Sequence, residues 1–146
     1  MKTVFFTGAT GGLGELCVRT LSKRGWQVFA VGTNREKLGE LEQLPHVIPL
    51  HANVRDMNSL KAAKENLLEY TNRLDAVVNF AGISGFSSLV EGEAISLMER
   101  LIDINVLGTA RVNALMIDLL ERGQGRIINC SSTAGWVASQ PFAGAY

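Results

Sequence analysis

TVFFTGATGGLG, residues 3–14, decides the fold. Val4, Phe5 and Phe6 form an unbroken apolar run, the pattern of a parallel strand covered on both faces. Gly8, Gly11, Gly12 and Gly14 then turn the chain. Beyond them Leu13, Leu16, Cys17, Thr20 and Leu21 recur at helical spacing until Gly25 stops the helix. A turn this poor in side chains leaves backbone N–H groups open at a helix start, where an anion such as a pyrophosphate can approach. With 15 glycines in the chain, chance clustering is the competing reading. The strand–turn–helix placement argues against it. The segment is not a G-x-G-x-x-G, because Cys17 stands at the last glycine position.

Working outward, strand and helix patterns keep alternating. A second strand is predicted over 27–31, and Asn34 caps a helix that carries Leu38, Leu41 and Leu44 until Pro45. A third strand follows over 47–50 and a helix over 56–70. A fourth strand over 74–80 runs into Gly82, and 91–122 reads as one long helical stretch with a break near Ile104 and Asn105. The fifth strand covers 125–130. Crossovers of this length join parallel strands, so the fold class is α/β. A Rossmann-like doubly wound sheet in the order 3-2-1-4-5, with helices on both faces and without the last strands of such sheets, is expected. Its glycine turns after strands one and four flank the crevice where open α/β sheets bind ligands.

A length of 146 residues, 47% hydrophobic and 19% charged, suits one domain with a real core. Fourteen basic residues balance fourteen acidic ones, so no overall field favours nucleic acid or an anionic membrane. Cys17 and Cys130 each lie in an apolar stretch and are expected to be buried, reduced thiols rather than a disulfide framework. Together with His46 and His51 they have no metal-ligand spacing, and no metal site is expected. No segment approaches the roughly 20 apolar residues of a membrane span, and a cytoplasmic protein is expected.

Four motifs in order carry a family resemblance. TGATGGLG, residues 7–14, is similar to the TGxxxGxG of the short-chain dehydrogenases/reductases through Gly8, Gly12 and Gly14. It equally fits the TGxxGxxG of their extended branch through Gly8, Gly11 and Gly14. NFAG, residues 79–82, resembles the family's NNAG with Phe80 in place of the second asparagine. DINVLG, residues 103–108, resembles its D-x-N-V-x-G, and IINCSSTAG, residues 127–135, its fifth strand running into SSxAG. Together they point to the ordinary, single-domain branch, with residues 1–146 as a dinucleotide-binding domain incomplete at its C-terminal end.

The resemblance implies hydride transfer between a nicotinamide and a carbonyl or alcohol carbon. Tyr146 stands where the family's acid–base tyrosine is expected. A free phenol has a pKa of about 10 and is a poor base near neutrality. The family answers with a lysine four positions later, which this sequence does not reach. Ser132 is the candidate for the serine that hydrogen-bonds the reacting oxygen, and Thr133, one residue closer to Tyr146, is the second candidate. Asn105 resembles the asparagine whose carbonyl, freed by a helix kink, holds a water near that lysine.

The cofactor site implied comprises Gly8, Thr10, Gly11, Gly12, Leu13 and Gly14 in the first turn, and Asn79, Ala81 and Gly82 after strand four. Asn53 and Val54 take the family's Asp-Val position near the adenine. After strand two, NAD enzymes place a carboxylate that bonds the ribose 2′-OH and repels a 2′-phosphate. Here Thr33, Asn34 and Arg35 stand instead, so NADP is expected, with NAD as the alternative.

Family members are longer. The expectation is therefore a portion of a longer oxidoreductase, against the alternative of a short, non-catalytic nucleotide-binding or interaction module. The apolar residues of the long central helix suggest a homo-oligomer. A small or medium-sized carbonyl or alcohol substrate is expected, with residues 84–89 and 136–142 as pocket candidates and packing as the competing reading of their apolar residues.

Overall fold

Phe5 and Phe6 are neighbours in sequence and are buried in different cores. Alternation along a strand sends successive side chains to opposite faces, so each face needs its own cover. The computed structural model describes residues 1–85 and 94–132, and within them both covers are present. The strands are β1 (Thr3–Thr7), β2 (Gln27–Gly32), β3 (Val47–His51), β4 (Ala76–Asn79) and β5 (Arg126–Asn129). The helices are α1 (Gly12–Lys23), α2 (Arg35–Glu42), α3 (Met57–Leu68), α4 (Ala94–Leu101) and α5 (Thr109–Gly123). A π-helical segment, Ile102–Gly108, joins the last two.

The five strands form one sheet in the order β3-β2-β1-β4-β5, and every pairing is parallel. Phe5 lies between Phe29 of β2 and Val77 of β4 in register. All three join Leu60 and Leu67 of α3 and Val112 and Met116 of α5 in one core. On the other face Val4, Phe6, Val28 and Ala30 pack with Val18 of α1 and Leu41 of α2. The expected α/β class, strand order and two-sided cover are what the chain adopts. The expected burial of both thiols is not: Cys17 is half-buried, and Cys130, just past the edge strand β5, is exposed.

The element ends differ from the expectation for identifiable reasons. β4 starts two residues later than its apolar run because the Leu74 N–H donates to the Leu119 carbonyl of α5. Its far end stops before Phe80, whose N–H donates to the Thr7 hydroxyl instead of extending the ladder. The predicted break at Ile104 and Asn105 is a widening rather than an interruption. Leu101, Gly108 and Thr109 all keep right-handed helical angles, and Ile102–Gly108 carries the extra residue per turn of a π-helix. The Asn105 carbonyl accepts the Thr109 hydroxyl at 2.9 Å.

In a parallel sheet all the C-terminal strand ends lie along one edge. The turns after β1, β2, β3 and β4 therefore open on the same side, as does Ser132, three residues beyond β5.

Candidate functional site

A cleft of about 780 Å³ runs along that edge. Its near wall is the turn between β1 and α1, where two glycines are required by backbone geometry. Gly8 has φ +75°, and a Cβ there would come within 2.6 Å of the Phe80 carbonyl carbon. A Cβ on Gly14 would run into the Gly8 carbonyl oxygen. The first turn of α1 is thus pressed against the loop after β1, and that loop against the loop after β4. No side chain can be added at either place without moving backbone.

Thr7 locks the same junction from beneath. Its buried hydroxyl accepts the Phe80 and Ala81 N–H groups at 3.1 and 3.2 Å. Gly11 is the N-cap residue of α1, and no side chain caps this helix. By contrast, Asn34 caps α2 by accepting the Lys37 N–H, and Asp56 caps α3 by accepting that of Asn58. Of these three helices the uncapped one is α1, whose first residues, Gly12, Leu13 and Gly14, line the cleft. Its N–H groups and dipole favour an anionic ligand there.

The far wall is polar and charged. Asn53 and Val54 line the cleft after β3. The Asn53 side chain folds back to accept the Arg55 N–H at 3.0 Å, and its own N–H donates to the Ser59 hydroxyl. Arg55 is the one charged side chain among the described residues lining the cleft. Its Nε donates to Asp103 of the π-helical segment at 2.7 Å, and Arg111 Nη1 donates to the other oxygen of Asp103 at 2.8 Å. Hydrogen bonds from Arg55, then Arg111, hold the Asp103 carboxyl below the usual carboxylate range.

Asn105 sits two residues on and joins the opposite wall. Its Oδ1 accepts the Ile83 N–H and its Nδ2 donates to the Ile83 carbonyl, both at 2.9 Å. An amide making this pair imitates a strand neighbour for the loop after β4.

Of the expected cofactor residues, Gly8, Thr10, Gly11, Gly12, Leu13, Gly14, Thr33, Asn53, Val54, Ala81 and Gly82 line this one cleft. Asn34 and Arg35 do not. Asn34 is engaged as the cap of α2, and Arg35 is exposed in its first turn. Asn79 does not line it either. It is buried, and its Nδ2 donates to Asn113 of α5 at 2.7 Å and Asn129 of β5 at 2.9 Å. That amide binds three elements together behind the cleft. Of the expected catalytic residues, Asn105 is at the cleft's rim through Ile83, and Ser132 lies past the end of β5. Thr133 and Tyr146 lie outside the described residues, as do 86–89 and 136–142 of the pocket candidates.

Sequence reasoning missed Thr7, Arg55, Phe80, Ile83 and Ile104, which also line the cleft. Thr7 and Phe80 stood inside quoted motifs, and position alone could have flagged them. Arg55 carried no such signal. Among the described residues no helix is long and apolar enough to cross a membrane, and no cluster of His, Cys, Asp or Glu is placed to hold a metal ion.

The sequence matches the short chain dehydrogenase family over residues 2–146. The chain belongs to that family. It is 33% identical over 144 residues to the NADP-dependent 3-hydroxy acid dehydrogenase YdfG of Escherichia coli, covering 97% of this chain and 57% of the relative. The crystal structure of serine dehydrogenase from Escherichia coli matches with a TM-score of 0.83 at 31% identity, over 92% of this chain and 64% of that one. A 3-oxoacyl-[acyl-carrier protein] reductase from Brucella melitensis with bound NAD matches with a TM-score of 0.83 at 27% identity. There the match covers 94% of this chain and 56% of that one. The chain spans less than two thirds of the length of each.

Proposed function

We propose that this chain forms the dinucleotide-binding part of an NAD(P)-dependent oxidoreductase acting on a small carbonyl or alcohol substrate, with NADP as the preferred cofactor. The observation that carries the reading is the glycine-rich cradle at the uncapped start of α1, open to a cleft that extends to Thr33 and Asn53. A pyrophosphate fits such a cradle because backbone N–H groups serve it without a charged side chain.

In this reading the residues 8–14 turn holds the pyrophosphate, and Asn53 and Val54 border the adenine. Ala81 and Gly82 would border the nicotinamide half. When bound, the nicotinamide would supply or take up the hydride. The chain's own work is proton handling. Tyr146 gives a proton to the substrate oxygen during reduction and takes it back during oxidation, and Ser132 donates a hydrogen bond to that oxygen. Asn105 keeps the loop after β4 in place through Ile83.

NADP is favoured because no carboxylate is among the described residues lining the cleft. Arg35, exposed just beyond Thr33, is available to a 2′-phosphate. The relatives are divided on this point: YdfG is named as NADP-dependent and the Brucella reductase holds NAD. Exposed Ile102, Val106, Leu107 and Ile117 on the long helix support a homo-oligomer built there.

Isothermal titration calorimetry with NADPH and NADH tests the cofactor reading. NADPH should bind at least about tenfold more tightly, and Arg35→Gln should remove most of that margin, since one charge-assisted phosphate contact is worth roughly 1.5–3 kcal/mol. Tighter NADH binding overturns the NADP assignment, and no binding of either overturns the function. Binding without carbonyl-dependent NADPH oxidation reduces the chain to a dinucleotide-binding module.

A further inference from the structure

Asp103 pairs with both Arg55 and Arg111, and through them meets the loop after β3. We propose that Asp103 is a positioning residue for cofactor binding: it ties the adenine wall of the cleft to the π-helical segment, so that both walls are set by one element. The proposal rests on the dinucleotide reading above.

Four polar contacts make the tie. Arg55, in the cleft wall, gives its Nε to Asp103 Oδ2 at 2.7 Å. Arg111, two turns further along the helix, reaches back with Nη1 to Asp103 Oδ1 at 2.8 Å and to the Asp103 carbonyl at 3.2 Å. The same Nη1 lies 3.5 Å from the Val54 carbonyl, so the cation also touches the loop after β3 directly. Val54 closes the fit from the apolar side. A Cβ on Gly108, at the end of the π-helical segment, would come within 2.7 Å of Val54 Cγ2.

One segment can serve both walls because side chains two residues apart on a helix point to opposite sides. Asp103 and Asn105 are two residues apart, and in Ile102–Gly108 one binds Arg55 on the loop after β3 while the other binds Ile83 on the loop after β4. Displacing the segment shifts both loops together, and the cleft between them changes width. The tie also compensates charge. Asp103 is a carboxylate close to a cleft proposed to take a polyanion, and two guanidiniums bind both of its oxygens. With Asp103 neutralised by substitution, Arg55 is released from its fixed position and Val54 loses part of its support.

The test measures NADPH affinity by calorimetry for wild type, Asp103→Asn, Arg55→Gln and the double variant. Asp103→Glu serves as the conservative rescue. Asp118→Asn is the control, because Asp118 also holds two cations, Lys64 and Arg122, but ties α3 to α5 away from the cleft. Each single variant at Asp103 or Arg55 should weaken NADPH binding by about five- to tenfold, and the double variant by no more than the weaker single. Asp103→Glu should recover most of the loss, and Asp118→Asn should lower stability while leaving affinity unchanged. Additive losses in the double variant overturn the proposal. So do unchanged affinity in Asp103→Asn, or an equal loss of affinity in Asp118→Asn. If wild type binds neither NADPH nor NADH, the dinucleotide reading fails and takes the tie's purpose with it. Wild-type binding with unaffected variants sinks the tie alone.

Discussion

The two walls of the cleft are built by opposite means. At the turn between β1 and α1, backbone meets backbone. Gly8 and Gly14 permit contacts that no side chain could share, and α1 starts without a side-chain cap. At the far wall, long polar side chains do the joining. Arg55, Asp103 and Arg111 link a loop to a helix, and the Asn105 amide links that helix to a second loop. A backbone wall has no adjustable parts, so it should fail abruptly when a carbon is added. A side-chain wall should fail gradually, and mostly in ligand affinity.

The sharpest way to break the first wall is Gly8→Ala. A residue held at φ +75° costs about 1–2 kcal/mol once it has a Cβ. The contact with the Phe80 carbonyl carbon adds an overpacking cost of about 1–3 kcal/mol. Urea denaturation should show roughly 3 kcal/mol lost, with dinucleotide binding reduced alongside. Gly12→Ala is the matched comparison. A Cβ there meets nothing within 4 Å, so stability should change by less than about 0.5 kcal/mol. A large loss in Gly12→Ala, or none in Gly8→Ala, would show that the wall is not set by these close approaches.

Thr7→Val sits between the two cases, since it keeps the side chain's shape and removes only the hydroxyl. The Phe80 and Ala81 N–H groups then lose their acceptor at a buried position. Such losses cost about 1–3 kcal/mol in total for a deleted acceptor. Faster amide hydrogen exchange at both residues, with exchange in β2 unchanged, is the expected signature. Unchanged exchange at Phe80 and Ala81 would mean that the loop after β4 is held by something other than Thr7.

The same contrast decides what the sequence could disclose. The fold and the backbone wall were legible because their causes are local. Apolar runs of strand length, helical spacing of Cys17 and Leu21, and glycines between them are all read within a dozen residues. Glycine at 8 and 14 is itself the mark of the close approach it allows. The side-chain wall depends on contacts between residues far apart in sequence, 48 positions for Arg55 and Asp103 and 22 for Ile83 and Asn105. An arginine in a polar turn resembles any solvated charge until its partner is known. The fate of Asn79 was hidden for the same reason. Its motif suggested a place in the cleft, and only the arrival of Asn113 and Asn129 shows why it points elsewhere.

The smallest effect expected is also the most specific to the far wall. The Arg55 and Arg111 contacts hold the Asp103 carboxyl below its usual range, so its folded form releases a proton more readily than its unfolded form. For a group shifted in this direction, the stabilisation is present above the unfolded pKa, about 3.9 for an aspartate, and is lost as pH falls further. Wild type should therefore exceed Asp103→Asn in Tm near neutrality, and the difference should narrow as pH falls below about 4. The Asp118 carboxyl, lowered by its hydrogen bond from Lys64, is present in both proteins and drops out of the comparison. Because Asp103 is partly open to solvent and surface pairs are screened, added salt should shrink the same difference at neutral pH. A gap that stays constant from pH 7 down to about pH 2 would mean that the Asp103 charge contributes nothing, and that the far wall is held by shape alone.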